Sequence, residues 1–260
     1  MYPKEYYEAI EQFRLMDDTF MSVVFDGDYP SVELLLNIIL NRSDMKVIEV
    51  KTQVSYSNLL DRSIRIDVEA KDSSDKLYNI EVQNRSDEAN VRRARYHSSM
   101  IDSKLLKRGQ RFSALVDSYV IFITEQDILG GGLPLYEIDR VVKQTGALFG
   151  DGSHIIYVNG SIDDKDTPLS RLMHDFKCRK ADEMYYPQLA NRVNMIKNTE
   201  GGRDNMCKIM EDLNEKAVRE ERIKYAQAMI ALGKLTFEEI AENFDLTLEE
   251  VKALAEGKPA

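Results

Sequence analysis

Cysteine, histidine and long apolar stretches are scarce in this chain of 260 residues. The two cysteines, Cys178 and Cys207, build no disulfide framework and follow no zinc-ligand spacing. The three histidines, His97, His154 and His174, are scattered, so no histidine metal pair is expected. The longest apolar run, Leu34–Leu40, is interrupted by Asn37 and is far too short to cross a bilayer. The opening Met-Tyr-Pro-Lys-Glu lacks a signal-peptide pattern, and no membrane association is expected. A reducing cytoplasm fits these absences. Internal repeats and low-complexity segments are missing too. The glycines at Gly130–Gly132 make no phosphate loop, because no Gly-Lys-Ser/Thr follows them, and they read as a flexible turn.

Positive charge is also in deficit. The net charge of −10 excludes a surface coated for nucleic-acid binding, although the distribution of charge matters more than its total. That distribution is uneven. Arg85 to Arg111 holds eight Lys/Arg (Arg85, Arg92, Arg93, Arg95, Lys104, Lys107, Arg108, Arg111) against three acids. Glu211 to Glu256 holds twelve acids against six Lys/Arg.

What the chain does have is an ordinary globular composition, 43% hydrophobic and 31% charged, long enough for one sizeable domain with an appendage. Residues 5–25 read as a helix bounded by Asp26-Gly27-Asp28. Pro30-Ser31 opens a second helix to Leu40. Val47–Val54 is a candidate strand. Two period-two segments follow, 63–70 and 77–83, joined by the polar Lys71–Lys76. Glu88–Lys107 reads as a helix, Ser118–Thr124 as a central strand and His154–Val158 as another. Helical patterns run from Pro168 to about Gly233. This order predicts an α/β (α+β) core, a mixed central sheet flanked by helices.

The two period-two segments carry the chemistry. With a turn near Ser74, Asp67 lies across from Glu81, Glu69 across from Asn79, and Arg65 across from Gln83. Opposed side chains on one face stand about 5 Å apart. Two like charges at that distance repel by roughly 4 kcal/mol at an effective dielectric near 20. A divalent cation removes the conflict, and hard oxygen ligands suit magnesium or manganese. Spacing alone leaves a second reading open: a solvated polar face on an amphipathic hairpin, with the register one residue off.

At the C-terminal end, Thr236 with Glu239 and Thr247 with Glu250 form two capping boxes. They predict short helices from 237 and 248, joined by a turn at Phe244–Leu246, in a helix-turn-helix-like pair. Glu249 and Glu250 at the start of the second helix would repel phosphate, which favours packing or partner contact over base reading. The expected division is a core domain over 1–180, a helical connector over 181–232 and the helix pair over 233–260.

With these pieces placed, the chain resembles the Rpn family of recombination-promoting nucleases, also grouped as transposases, in the PD-(D/E)XK nuclease superfamily. The likeness runs through Asp18–Phe25, Glu33–Leu40, Arg65–Ala70, Tyr78–Gln83, Arg93–Tyr96, Leu106–Gly109 and Tyr119–Ile123, in family order. It implies a restriction-endonuclease-like core and a metal-dependent DNA endonuclease that promotes recombination. Asp67 and Glu81 would be ligands of Mg2+ or Mn2+, and Glu33, with Asp18 close behind, would supply a further acid from the first core helix. The superfamily pattern has Lys where Gln83 stands; Gln can hold a water by hydrogen bonds but carries no charge. Arg65, opposite Gln83, is a candidate substitute. Arg92, Arg93 and Arg95 would contact DNA phosphates, and a homodimer would cut both strands. The alternative is a catalytically degenerate nuclease fold acting as a DNA- or protein-binding module.

Overall fold

The computed structural model describes residues 2–56, 63–84, 89–163 and 166–256. The chain divides into two compact units, Glu8–Gly202, and Met1–Tyr7 together with Arg203–Ala260. Among the described residues no helix is long and apolar enough to cross a membrane.

The larger unit is built on a six-stranded mixed sheet. Its strands are β1 (Val47–Tyr56), β2 (Ile64–Asp72), β3 (Leu77–Gln83), β4 (Ser118–Thr124), β5 (Leu135–Ile138) and β6 (Ser153–Asn159), in the order β1-β2-β3-β4-β6-β5. The first three strands are antiparallel neighbours, β3, β4 and β6 run parallel, and β5 closes the edge antiparallel to β6. As expected, Ser118–Thr124 is central: it pairs Glu81 with Phe122 on one side and Phe122 with Tyr157 on the other.

Helices cover the sheet. The expected helix over 5–25 is two helices, α1 (Lys4–Gln12) and α2 (Asp18–Phe25). The chain turns between them because the Asp17 carboxylate accepts the Arg14 N–H at 2.7 Å while the Arg14 carbonyl accepts the Asp17 N–H at 2.9 Å. A local Asp bond of this kind competes with helix propagation. Then come α3 (Tyr29–Ile39), α4 (Val91–Leu105), α5 (Pro168–Lys177) and α6 (Pro187–Asn198). The expected start of α4 at Glu88, and Arg85 and Asp87 of the basic segment, lie outside the described residues. Ala94, Met100 and Ile101 of α4 form a buried cluster with Ile66, Leu77, Val120, Phe122 and Tyr157 of the sheet. Helices α2, α3, α5 and α6 bury Phe20, Val24, Phe25, Val32, Leu36, Phe176, Leu189 and Val193.

The glycine turn is held by Asp127, whose carboxylate accepts the N–H groups of Leu129, Gly130 and Gly132 and the hydroxyl of Tyr136. Gly130 and Gly132 have φ of 69° and 70°, which glycine adopts without steric cost.

In the smaller unit, α7 (Glu200–Leu232) is followed by α8 (Phe237–Phe244) and α9 (Leu248–Ala255). Both capping boxes form as the sequence predicts. Asp245 turns the chain in a left-handed conformation, φ 52° and ψ 48°, and its carboxylate meets Arg222 at 2.7 Å. Ala226, Ile240, Leu246, Val251 and Leu254 bury one another, so the pair packs on the end of α7.

Candidate functional site

The β2–β3 hairpin pairs Lys71 with Leu77, Ala70 with Tyr78, Glu69 with Asn79 and Val68 with Ile80. This is the register read from the sequence, and β-ladder pairing stops one step before Asp67 and Glu81. There the two carboxylates take over from the backbone. The Asp67 N–H donates to Glu81 Oε1 at 3.4 Å, and the Val82 N–H donates to Asp67 Oδ2 at 3.2 Å. The strands part at their acids, and each acid serves a main-chain donor on the other strand.

No solvated polar face exists here. Every residue of β3 is buried; Asp67 is 5% exposed and Glu81 0%. Burial, then the charge of Asp18, pushes the Asp67 carboxyl up to about 7. Burial and the neighbouring Asp67 push Glu81 well above the ordinary carboxylate range. Burial disfavours the charged form, and two adjacent acids cannot both ionise cheaply. Glu81 Oε2 is buried without a hydrogen-bond partner, and the Arg93 guanidinium faces it at 3.5 Å without bonding to it. Two neighbouring buried carboxylates, one with an oxygen that has no hydrogen bond, offer hard-oxygen donors that fit a divalent cation of the magnesium or manganese type.

Helix α4 supplies the groups around the acids. Arg93 Nη2 stands 3.5 Å from Glu81 Oε2, and Arg93 Nη1 donates to Gln83 Oε1 at 3.4 Å. One helical turn on, His97 is buried, with Nδ1 3.0 Å from Asn79 Nδ2 and 3.7 Å from Glu81 Oε1. Arg93 Nε approaches His97 Nε2 at 3.4 Å, which places the imidazole proton on Nδ1. Asn79 Oδ1 is buried without a hydrogen-bond partner.

The other expected residues fall in different places. Arg65 lies 4.0 Å from Asp18 Oδ2, and both are about half exposed on the open side of the site. Arg92 and Arg95 are exposed on α4 and form no ion pair among the described residues. Glu33, expected as a metal ligand, is engaged at the start of β1. Its Oε1 accepts the Val47 N–H at 3.0 Å and its Oε2 faces Lys46 at 3.5 Å. Val47 pairs with Asp72, five residues along β2 from Asp67, or roughly 16 Å at strand rise. Asp18, on α2, is an acid whose charge acts on Asp67. Asn79 and His97 were not singled out by the sequence. The signals were the shared alternation of Asn79, Glu81 and Gln83, and the one-turn spacing of Arg93 and His97.

A second cluster, His174, Asp175 and Cys178, has ligand atoms within 4.8 Å of one another. It does not fit a divalent cation. The Asp175 carboxylate is taken by the N–H groups of Tyr185 and Tyr186 at 2.7 and 2.8 Å. The adjoining cavity of about 500 Å³ is lined by His174 and Cys178 with Arg14, Lys177, Arg179, Lys180 and Glu183, four cations to one acid.

Residues 31–161 of the chain, about half of it, match the family described as PD-(D/E)XK nuclease family transposase. The matched span contains Asp67, Glu81, Gln83 and Arg93 and begins after Asp18. No curated protein and no solved structure is matched by the chain.

Proposed function

Because the chain belongs to the PD-(D/E)XK nuclease family transposases, we propose that it is a divalent-metal-dependent DNA endonuclease whose centre is Asp67 and Glu81. The observation that carries this reading is the buried acid pair with one carboxylate oxygen left without a hydrogen bond. Asp67 and Glu81 would hold Mg2+ or Mn2+, with Asp18, whose charge acts on Asp67, a further acid for the site. When bound, the cation polarises the scissile phosphate and lowers the pKa of a water.

The remaining work falls to the chain's own groups. Gln83, two residues beyond Glu81 on the same strand face, holds the attacking water by hydrogen bonding. Arg92 and Arg95, exposed and free of carboxylates among the described residues, contact backbone phosphates and position the duplex without reading sequence. Breaks made in this way are what a recombination-promoting role requires.

The test is incubation of supercoiled plasmid with the purified chain and magnesium, manganese, calcium or EDTA, beside Asp67→Asn. The expected result is nicking or linearisation with magnesium or manganese that EDTA and the substitution abolish. A folded protein that binds DNA but cuts it under no metal would overturn the reading in favour of a degenerate binding module.

A further inference from the structure

Arg93 touches the site at more points than any phosphate-contacting surface residue would need. Nη1 faces Gln83 Oε1 at 3.4 Å, Nη2 faces Glu81 Oε2 at 3.5 Å and Nε faces His97 Nε2 at 3.4 Å. The guanidinium also lies 6.0 Å from the centre of the Phe122 ring. A planar, donor-only fork held on four sides has little freedom to turn away.

From this geometry we infer that Arg93 is a positioning residue: it locks the Gln83 amide with its oxygen engaged and its N–H2 group free for the reaction space. The inference rests on the nuclease reading of the same site. Guanidinium groups carry only donors, so whatever faces Arg93 Nη1 must accept. Turning the amide round would set N–H2 against N–H, which leaves Gln83 Oε1 as the one end that suits Arg93. The Nε2 hydrogens then donate to the oxygen of the attacking water or to a phosphate oxygen. Gln83 therefore holds the water by its lone pair and takes no proton from it. Arg93 also brings positive charge directly against Glu81, which Gln83 cannot. Arg65, expected to fill that place, reaches Asp18 instead. One cation shared between positions 83 and 93 is what the site is built to hold.

The experiment uses the full chain in single-turnover plasmid nicking with manganese, comparing Arg93→Gln, Gln83→Lys and the exchange double variant Gln83→Lys/Arg93→Gln. Arg93→Gln should lose at least tenfold in kcat with KM changed less than threefold. Gln83→Lys should also be impaired, because two cations then abut. The double variant should recover at least tenfold over Arg93→Gln. A double variant no better than Arg93→Gln, or a loss confined to KM, would overturn the inference. A second readout needs no activity: the Gln83 side-chain amide signal in the nitrogen–proton spectrum, assigned as the one lost in Gln83→Leu. It should move in Arg93→Gln and hold its position in Lys104→Gln. An unmoved signal in an active protein defeats the role of Arg93 alone. A moved signal in a protein that never cuts DNA keeps the contact and defeats the nuclease reading, and the positioning role with it.

Discussion

The Val82 backbone N–H donates to the carboxylate of Asp67 at 3.2 Å, so a side chain from β2 completes the hydrogen bonding of β3. Glu81 does the same for the Asp67 N–H in the opposite direction. The acids are thus structural elements of the hairpin as well as candidate ligands, and substitutions must keep an acceptor to separate the two roles.

Asp67→Asn and Glu81→Gln each retain a carbonyl oxygen for the backbone donor and remove one of two neighbouring buried acids. Each is expected to abolish cleavage, by a factor of at least a hundred, while the metal-free protein melts at the same temperature as wild type or a few degrees higher. Thermal unfolding monitored by circular dichroism beside the plasmid assay checks this. A marked drop in Tm would mean that the pair is needed for folding in its charged form.

Metal-free stability should depend on pH in the direction set by Asp67. Its carboxyl rises from an ordinary 3.8 to about 7 in the folded state, so between those values the folded chain keeps a proton that the unfolded chain has released. The stabilisation is fully present below about pH 4 and is lost as pH rises through 7. In EDTA, the Tm of wild type relative to Asp67→Asn should fall by several degrees between pH 5 and pH 8. A difference that stays flat across this range would show that Asp67 titrates as an ordinary carboxyl.

Asp18 and Glu33 should behave differently. Asp18→Asn is expected to weaken manganese binding about tenfold by titration calorimetry, because its charge acts on Asp67. Glu33→Gln keeps an acceptor for the Val47 N–H and should leave manganese affinity within about twofold of wild type. The reverse order of effects would restore Glu33 as the helix acid.

Arg92→Glu/Arg95→Glu should weaken DNA binding regardless of sequence and make it less sensitive to salt. Each lost phosphate contact lowers the slope of log K against log salt by about 0.9. Fluorescence anisotropy over a salt series measures it; an unchanged slope would place the DNA elsewhere on the surface.

The caps of the C-terminal pair give a test within the smaller unit. Thr236→Ala and Thr247→Ala each remove a side-chain acceptor for a backbone N–H at 3.2 Å. Each should cost about 1 kcal/mol in the unfolding of that unit, read from denaturant titration. No change would mean that the pair's helices are held by their apolar contacts alone.

The hairpin was legible because period-two alternation on both flanks and a polar turn mark it, and of the registers that spacing left open the one centred near Ser74 is the one formed. Ser118–Thr124 was legible because a continuous apolar run of strand length is what a doubly covered parallel strand needs. The four-residue β5 was not, being half exposed and too short for a period to register. That Glu33 meets the Val47 N–H was not legible, because its position on a helix fixes which face it occupies but not which end of β1 that helix reaches. The contacts of Arg93 with Gln83 and Glu81 span ten and twelve residues of chain and depend on the tilt of α4 over the sheet, which composition and spacing do not encode.

Strands β3 and β4 are parallel, and α4 is part of the crossover between them. A parallel pair cannot close through a tight turn; the connecting segment must first be laid back along the sheet. During folding, the hairpin with its two acids can form early from local contacts, but docking β4 beside β3 brings α4 down over it. The helix that packs over the acids is also the one that carries their guanidinium, so this topology does not cover the pair without bringing Arg93 to it.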